Sequence, residues 1–291
     1  MTPHPAPGPL GDAPAFPEGP LVSADRLAAL LGDPGLVVLD ASVGAHRGTG
    51  RRIPGARPFD LDGALSDHSS PVPHTMPDPA AFTGALRALG VDDGSTVVAY
   101  DAAGVYSSAR AWWMLRAMGF DRAAVLDGGL PAWEAAGLPV EPRPASYDGP
   151  PGTFTARPRP GLLAGSAEVL AALADPAATV LDARSRGRFD GTAPEPRPGL
   201  RGGHMPGARN LPFTELQGPD GRMLPVPELR DALSGVAPAS GRLFFSCGSG
   251  VTACVLALAA DLAGRREFTV YDGSWSDWGR DGSGLPVTTT D

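Results

Sequence analysis

The chain has 291 residues, and its 24 basic and 32 acidic side chains give a formal charge of −8. An apolar content of 42% supports packed cores, which excludes a wholly disordered protein. The chain contains arginine but no lysine, so chemistry that depends on a lysine, such as a Walker A loop or a Schiff base, is excluded. With a net negative charge and no basic run, the sequence predicts neither nucleic acid nor a membrane as a partner.

Two cysteines, Cys247 and Cys254, lie seven positions apart. In a helix this spacing corresponds to about 10 Å, which is too long for a disulfide. Free cysteines indicate a reducing compartment, and we expect a cytoplasmic protein. Two cysteines and five histidines show no spacing typical of zinc ligands, so no metal site is predicted. The N-terminus lacks the basic and apolar segments of a signal peptide.

The first half of the chain alternates short apolar strands with helices. Residues 1–20 are predicted to be a disordered leader. After it, Ser23 is predicted to cap a helix that ends before Gly32. The predicted elements are, in chain order, helix Ala24–Leu31, strand Leu36–Leu39, strand Val97–Tyr100, helix Tyr106–Met118 and strand Ala123–Leu126. Continuous apolar strands separated by helices are typical of a parallel sheet that is covered on both faces.

The second half repeats the first at a nearly constant offset of 142 to 152 residues. Four segments match in order, namely 37–42 with 179–184, 53–57 with 205–209, 126–129 with 271–274, and 138–140 with 285–287. The second set of predicted elements is a helix after Ser166, strand Thr179–Leu181, strand Leu243–Ser246, a helix at about Gly250–Ala263 and strand Phe268–Tyr271. A repeat of this length indicates a duplicated domain rather than a solenoid unit.

The predicted fold class is α/β, with two tandem domains that each contain a parallel sheet flanked by helices. The first domain is assigned to residues 21–140 and the second to residues 166–291. The segment 141–165 between them is rich in Pro, Gly and Arg, and it is predicted to be an extended linker.

Cys247 is the best candidate for a catalytic group, because it directly follows the predicted strand Leu243–Ser246. In a parallel sheet, ligands bind where a strand ends and a helix begins. Residues 248–253 form a loop whose backbone N–H groups, together with the start of the next helix, favour an anion. A thiol in this place is predicted to be a nucleophilic thiolate. Cys254 falls inside the helix and is predicted to be a packed core thiol.

Three kinds of chemistry are compared for this loop. Residues 248–253 fit the dinucleotide-binding pattern G-x-G-x-x-A, but only about 40 residues follow, and the first-half loop at Asp101 lacks the pattern. A cysteine phosphatase needs Cys-x5-Arg, whereas the sixth residue after Cys247 is Ala253. Sulfur transfer needs a thiolate, a ring of N–H donors and a shallow pocket, and the loop is consistent with all three.

The sequence resembles the two-domain rhodanese superfamily of sulfurtransferases over about residues 20–290. The loop Cys247–Ala253 is similar to that of the family members that use 3-mercaptopyruvate. Members that use thiosulfate usually carry Arg-Lys where this chain has Gly248 and Ser249. The segment 271–275 resembles the family's terminal signature, and 187–197 is similar to its substrate-arginine segment.

The resemblance implies that the Cys247 thiolate takes a sulfur atom from 3-mercaptopyruvate, releases pyruvate and holds the sulfur as a persulfide. A thiol acceptor such as thioredoxin, or cyanide, then removes the sulfur, and no cofactor is implied. Ser249 is the second implied catalytic residue. Arg188 and Arg197 are the implied ligands of the substrate carboxylate and keto oxygen. The other implied substrate-binding residues are Gly248, Gly250, Val251 and Thr252.

The chain departs from the family pattern in two places. Asp101 stands where the second half has Cys247, so the first domain is predicted to be inert, with Asp101 as a structural residue at the floor of the cleft between the domains. The 3-mercaptopyruvate members are proposed to use a Ser–His–Asp relay whose histidine precedes the first Pro-Gly-Ala, and this chain has Arg52 there. No acidic residue lies between Asp40 and Arg52, so the expected relay lacks its histidine and carboxylate. His46 is an alternative source of the histidine.

The sequence is also consistent with two other functions. An arginine at position 52 adds positive potential, which suits an anion such as thiosulfate, so a thiosulfate:cyanide sulfurtransferase is the first alternative. A persulfide carrier without turnover is the second. The six arginines between positions 184 and 209 are also consistent with a solvated basic loop. His204 is predicted to be a structural turn residue.

Overall fold

The computed structural model describes residues 19–144 and 146–290. The predicted leader, residues 1–20, lies outside the described residues except for Gly19 and Pro20. No helix in the described ranges is both long enough and apolar enough to cross a membrane.

The first half of the described chain folds around short strands and two longer helices. Its elements are, in order, β1 (Leu21–Val22), α1 (Ala24–Leu30), β2 (Leu36–Asp40), a 3₁₀ helix (Gly44–Thr49), β3 (Arg51–Arg52), β4 (Arg57–Pro58), α2 (Pro79–Ala88), β5 (Thr96–Tyr100), α3 (Ser108–Ala117), β6 (Ala123–Leu126), α4 (Gly129–Ala135) and β7 (Glu141–Pro142). As predicted, the Ser23 side chain accepts a hydrogen bond from the N–H of Arg26 and caps α1.

The second half follows the same plan. Its elements are, in order, β8 (Leu163–Ala164), α5 (Ser166–Ala174), β9 (Ala178–Asp182), α6 (Arg186–Asp190), β10 (Arg209–Asn210), a 3₁₀ helix (Phe213–Leu216), α7 (Val226–Val236), β11 (Arg242–Ser246), α8 (Ala253–Leu262), β12 (Phe268–Tyr271) and α9 (Ser274–Trp278). Helix α8 begins three residues later than the sequence predicted, because residues 250–252 belong to the loop after Cys247.

Each half contains one five-stranded sheet with parallel neighbours. The strand orders are β1-β6-β5-β2-β4 and β10-β9-β11-β12-β8. The central strands β2, β5 and β6 correspond to β9, β11 and β12, and each half places an edge strand beside the last of them. The two halves therefore have the same topology, and the prediction of two tandem α/β domains is confirmed.

The two domains share an apolar core, and this sharing positions the candidate site. Helices α3 and α8, which follow the equivalent strands β5 and β11, pack against each other. One apolar cluster includes buried side chains of both, such as Trp113 and Leu256. The carboxyl end of β11 therefore lies beside the interface, where the first domain can contribute to a site in the second.

The segment predicted as an extended linker is attached to both domains over part of its length. Strand β7 pairs antiparallel with β3, and β8 forms the edge of the second sheet beside β12. Arg143 donates from Nε to a carboxylate oxygen of Asp40 at 2.6 Å, so this segment also carries a half-buried ion pair to the first sheet.

Candidate active site

Cys247 emerges from the end of β11 and lines a cavity of about 490 Å³ between the domains. Only 1% of the residue is exposed. Its N–H donates to Ser274 Oγ at 3.1 Å, and its carbonyl accepts the N–H of Trp275 at 2.9 Å. The segment that the sequence singled out as a terminal signature therefore holds the backbone of the candidate nucleophile.

The loop after Cys247 is a cradle of backbone donors. Among the described residues, no acceptor is bonded to the N–H groups of residues 248–252. Gly250 has a φ of +75°, and a Cβ there would lie 2.5 Å from the carbonyl oxygen of Asp272. A side chain at this position is therefore excluded by both conformation and space. Free N–H groups next to the start of α8 favour an anion, as the sequence predicted.

The cavity brings together most of the residues predicted from the sequence. Those that line it are Arg188, Arg197, Cys247, Gly248, Ser249, Val251 and Thr252. Gly250 does not line it; this loop residue is buried, and its carbonyl accepts a hydrogen bond from the Cys254 thiol at 3.3 Å. Burial raises the pKa of Cys254 to about 12, which is consistent with the predicted packed core thiol.

The first domain supplies the opposite wall of the cavity and corrects the expectation of a missing relay. His74 Nδ1 lies 2.9 Å from Ser249 Oγ, and its Nε2 lies 3.2 Å from Asp62 Oδ1. In the tautomer that donates from Nε2 to Asp62, Nδ1 accepts the hydroxyl proton of Ser249. Asp62 and His74 belong to the irregular segment between β4 and α2. His46 also lines the cavity, but it makes no hydrogen bond to Ser249.

Two further residues discussed from the sequence, Arg52 and His204, lie outside the cavity. Arg52 does not line the cavity, since it is paired with Glu141 at 2.6 Å and donates to the carbonyl of Ala56. The charge of Arg52, which the sequence interpretation assigned to the site, is therefore paired with that of Glu141 outside the cavity wall. His204 stacks on Phe189 at 3.7 Å and bonds to the carbonyl of that residue at 2.8 Å, which is the structural role predicted for it.

The surroundings of His74 and Asp62 favour the charge states that a relay needs. Burial lowers the pKa of His74, and the charges of Arg110 and Arg197 lower it further, against the opposing effect of Asp62. Although burial alone would raise it, the pKa of Asp62 is lowered by the Gly44 N–H and by the side chains of His74 and Arg47. A neutral imidazole between an ionised carboxylate and a hydroxyl can accept a proton.

The two cavity arginines differ in how they are held. Arg188 donates from Nε and Nη2 to Glu195 at 3.2 and 2.6 Å, and Glu195 also accepts from the fully buried Arg184. Glu195 thus fixes the Arg188 guanidinium along its Nε–Nη2 edge. Arg197 makes no hydrogen bond or ion pair with a described residue, so its donors are available to a ligand. The buried ion pairs of Arg184 and the partly buried pair of Arg188 do not fit a merely solvated basic loop.

Asp101 fills, in the first domain, the place that Cys247 has in the second. Its carboxylate accepts the N–H groups of Ala103, Tyr106, Ser107 and Ser108 at 2.8 to 2.9 Å. It is fully buried and does not line the cavity, so it closes its own loop rather than forming the floor of the cleft. Tyr106, from the same loop, is the residue that reaches the cavity.

We expect Asp101→Asn to lower stability without slowing chemistry. One carboxylate oxygen accepts three N–H groups and the other accepts one, so an amide must direct its NH₂ at a donor. The free energy of unfolding should fall by about 1–3 kcal/mol, the cost of an unpaired buried group. Urea denaturation and kcat measured on the same preparation check this. A hundredfold fall in kcat in a folded variant would show that Asp101 takes part in the reaction.

Comparison with known proteins agrees with this geometry. The family model of the Rhodanese-like domain matches residues 23–136 and 166–281. The chain therefore belongs to the rhodanese-like family and contains two such domains, as the sequence predicted. The prediction of a sulfurtransferase is confirmed by its relatives.

A 3-mercaptopyruvate sulfurtransferase of Escherichia coli is 39% identical over 268 residues, which cover 89% of this chain and 94% of the relative. A mitochondrial thiosulfate/3-mercaptopyruvate sulfurtransferase of Arabidopsis thaliana is 38% identical over 89% of this chain and 76% of its own length. The crystal structure of SseA from Escherichia coli, a 3-mercaptopyruvate sulfotransferase, matches with a TM-score of 0.78 and 36% identity, covering 88% of this chain and 99% of that one.

Proposed function

We propose that this protein transfers sulfur from 3-mercaptopyruvate, through a Cys247 persulfide, to a thiol acceptor or cyanide. The observation that carries the proposal is the chain of contacts from Ser249 through His74 to Asp62 beside Cys247. A donor that carries its sulfur as a thiol has a proton to move, and this relay can move it.

In the first half-reaction, the Cys247 thiolate attacks the sulfur of 3-mercaptopyruvate. The bond between Sγ and that sulfur forms, the bond from the sulfur to C3 breaks, and the electron pair moves to C3. The donor's thiol proton passes to the relay of Ser249 and His74, which returns a proton to C3. Pyruvate leaves, and Cys247 keeps the sulfur as a persulfide anion. In the second half-reaction, an acceptor thiolate or cyanide attacks the outer sulfur, which restores the Cys247 thiolate.

The cradle and the arginines have separate tasks in this proposal. The N–H groups of residues 248–252 and the start of α8 stabilise the negative charge of the persulfide. Arg188 and Arg197 bind the carboxylate and keto oxygen, because a guanidinium matches a carboxylate in shape and charge. A Cβ at Gly248 would lie 3.0 Å from Nη2 of Arg188, so a small residue there keeps this arginine close to the loop.

Thiosulfate is the second candidate donor, and the relatives' names include it. Its outer sulfur carries no proton, so sulfur transfer from thiosulfate does not need proton transfer through the relay. The relay therefore favours 3-mercaptopyruvate. A thiol acceptor such as thioredoxin, in the cytoplasm, completes the proposal. The support for a reducing compartment is that Cys247 and Cys254 are both free.

The test is a side-by-side assay with both donors. Pyruvate release from 3-mercaptopyruvate and thiocyanate formation from thiosulfate and cyanide are each measured as kcat/KM. Mass spectrometry of the protein after donor alone should show Cys247 heavier by one sulfur atom. Faster turnover of thiosulfate would replace the proposed donor, and an adduct without turnover would indicate a carrier.

We expect Arg197→Met to weaken binding of the 3-mercaptopyruvate transition state by about 1.5–3 kcal/mol, the range for hydrogen bonds to charged groups. The matched control is Arg186→Met, since Arg186 is exposed, paired with Glu215 and outside the cavity. The ratio of kcat/KM values reports the loss. An equal loss with thiosulfate, which has no carboxylate, would contradict a carboxylate-binding role.

A further inference from the structure

Arg110 is a buried cation at the domain interface to which the proposed reaction assigns no task. It lies in α3, has no exposed surface and pairs with Asp272 Oδ1 at 2.5 Å. Its guanidinium also lies over the ring of Trp113 at 4.8 Å. Because a buried ion pair is costly to desolvate, it is poor support for a role in stability alone. The other contacts of Arg110 indicate what the pair does.

The Arg110 guanidinium contacts both segments that carry relay residues, namely the one with His74 and the loop with Ser249. Nη2 donates to the carbonyl of His74 at 2.8 Å, and Nη1 donates to the carbonyl of Gly250 at 3.4 Å. The second oxygen of Asp272 accepts the N–H of Met76 at 2.7 Å. One ion pair therefore holds the backbone directly after the His74 side chain and also contacts the loop that carries Ser249.

The backbone of His74 needs such support. Its φ is +60°, and the only other non-glycine residue with a positive φ in the described ranges is Ser274, which contacts Cys247. A left-handed conformation at a non-glycine residue persists only where its surroundings enforce it. Here the surroundings include the bond from Arg110 to the His74 carbonyl.

The duplicated fold provides an internal comparison. In the equivalent contact of the duplicated fold, Asp127 of the first domain takes the place of Asp272 and accepts the N–H of Met223 of the second domain at 2.9 Å, just as Asp272 accepts that of Met76. The residue aligned with Arg110, when Gly104 is matched to Gly250, is Leu256. The contact between the domains thus forms twice, but the arginine accompanies only the copy of the contact that lies beside His74. Domain association alone does not explain it.

We propose that Arg110, paired with Asp272, is a positioning residue that holds His74 at the distance from Ser249 that proton transfer requires. This inference rests on the proposed function, because only a donor with a thiol proton uses the relay. The charged and hydrogen-bonding groups that face His74 are Asp62, Ser249, Arg110 and Arg197. The charge of Arg110 is among those that lower the pKa of His74, so its loss should move the acid limb of the rate profile to higher pH.

The chain offers a matched control for Arg110→Met. Arg116 lies six residues later in the same helix, pairs across the interface with Asp261 of α8 at 3.1 Å and lies over Trp112 at 5.4 Å. Its contacts do not include the relay. We expect Arg110→Met to lower kcat/KM for 3-mercaptopyruvate at least about thirtyfold, mainly in kcat, which is part of the roughly 10²–10⁴-fold effect that general acid–base groups supply. Arg116→Met should stay within about threefold of wild type.

A double-variant cycle with His74→Gln separates positioning from general damage. If Arg110 acts through His74, adding Arg110→Met to His74→Gln should lower kcat/KM by less than about threefold further. Arg110→Lys keeps a charge beside Asp272 and so serves if the Met variant fails to fold. It should leave the acid limb near that of wild type while still lowering kcat.

Three results would overturn the inference, provided that wild type turns over 3-mercaptopyruvate. They are a rate within threefold of wild type in Arg110→Met, an equal loss in Arg116→Met, and an undiminished loss in the His74→Gln background. A wild-type protein that is inactive with 3-mercaptopyruvate would instead contradict the proposed function itself.

Discussion

Cys247→Ser should abolish sulfur transfer from every donor, with kcat lowered by at least about a thousandfold, as is typical for loss of a nucleophile. A serine hydroxyl stays protonated near neutral pH and does not form a persulfide. The reason extends to all donors, because each of them must first give its sulfur to Sγ. Steady-state assays with 3-mercaptopyruvate and thiosulfate measure the loss. Mass spectrometry should show no added sulfur on the variant.

Cys254→Ser is the matched control for this result. Cys254 is fully buried in α8 and bonds to the carbonyl of Gly250, beneath the loop that carries Cys247. A serine hydroxyl can make the same bond, so most activity should remain, with at most some loss of stability. An active Cys247→Ser together with an inactive Cys254→Ser would reverse the assignment of the nucleophile.

The parts of the fold that the sequence predicted are those that depend on local pattern. Apolar strands such as Ala123–Leu126 and the four repeated segments are contiguous, so both the sheets and the duplication could be recognised. Helices α2 and α7 were not predicted. They bury only a few side chains, such as Phe82 and Leu86 in α2, so they are amphipathic and lack the continuous apolar run that marks α8.

The relay escaped prediction for a different reason. Asp62 and His74 lie in an irregular segment of the first domain, whereas Ser249 lies 175 residues further along the chain than His74. No local pattern connects residues at such a separation, since packing of the two domains brings them together. The expected position before Pro-Gly-Ala instead holds Arg52, which is engaged by Glu141. The sequence contains only five histidines, and this short list of possible partners for Ser249 was the one signal available.

The duplicated fold also gives a reason why a reactive centre is proposed for only one half. Both halves build a loop of N–H donors between a central strand and a helix. In the first half, the Asp101 carboxylate occupies those donors, whereas in the second half the shorter Cys247 side chain leaves the N–H groups of residues 248–252 free of described acceptors. An internal carboxyl group thus takes the place of a ligand in one copy. The first domain still contributes Asp62 and His74 to the cavity that Cys247 lines.

His74→Gln should lower kcat/KM for 3-mercaptopyruvate by about 10²-fold or more, the contribution typical of a general acid–base group. The glutamine can still accept a hydrogen bond from Ser249 but does not take up its proton. Sulfur transfer from thiosulfate should change little, because this donor has no thiol proton. The matched control is His46→Gln, since His46 lines the same cavity without bonding to Ser249.

The pH profile gives this prediction a second readout. Because burial, Arg110 and Arg197 lower the pKa of His74, the imidazole stays neutral to a lower pH than an ordinary histidine with a pKa of 6.5. The acid limb of kcat/KM for 3-mercaptopyruvate should therefore lie below pH 6.5 in wild type and be lost in His74→Gln. If His46→Gln removes that limb while His74→Gln keeps it, the base is His46. The contact of His74 with Ser249 would then have no part in the reaction.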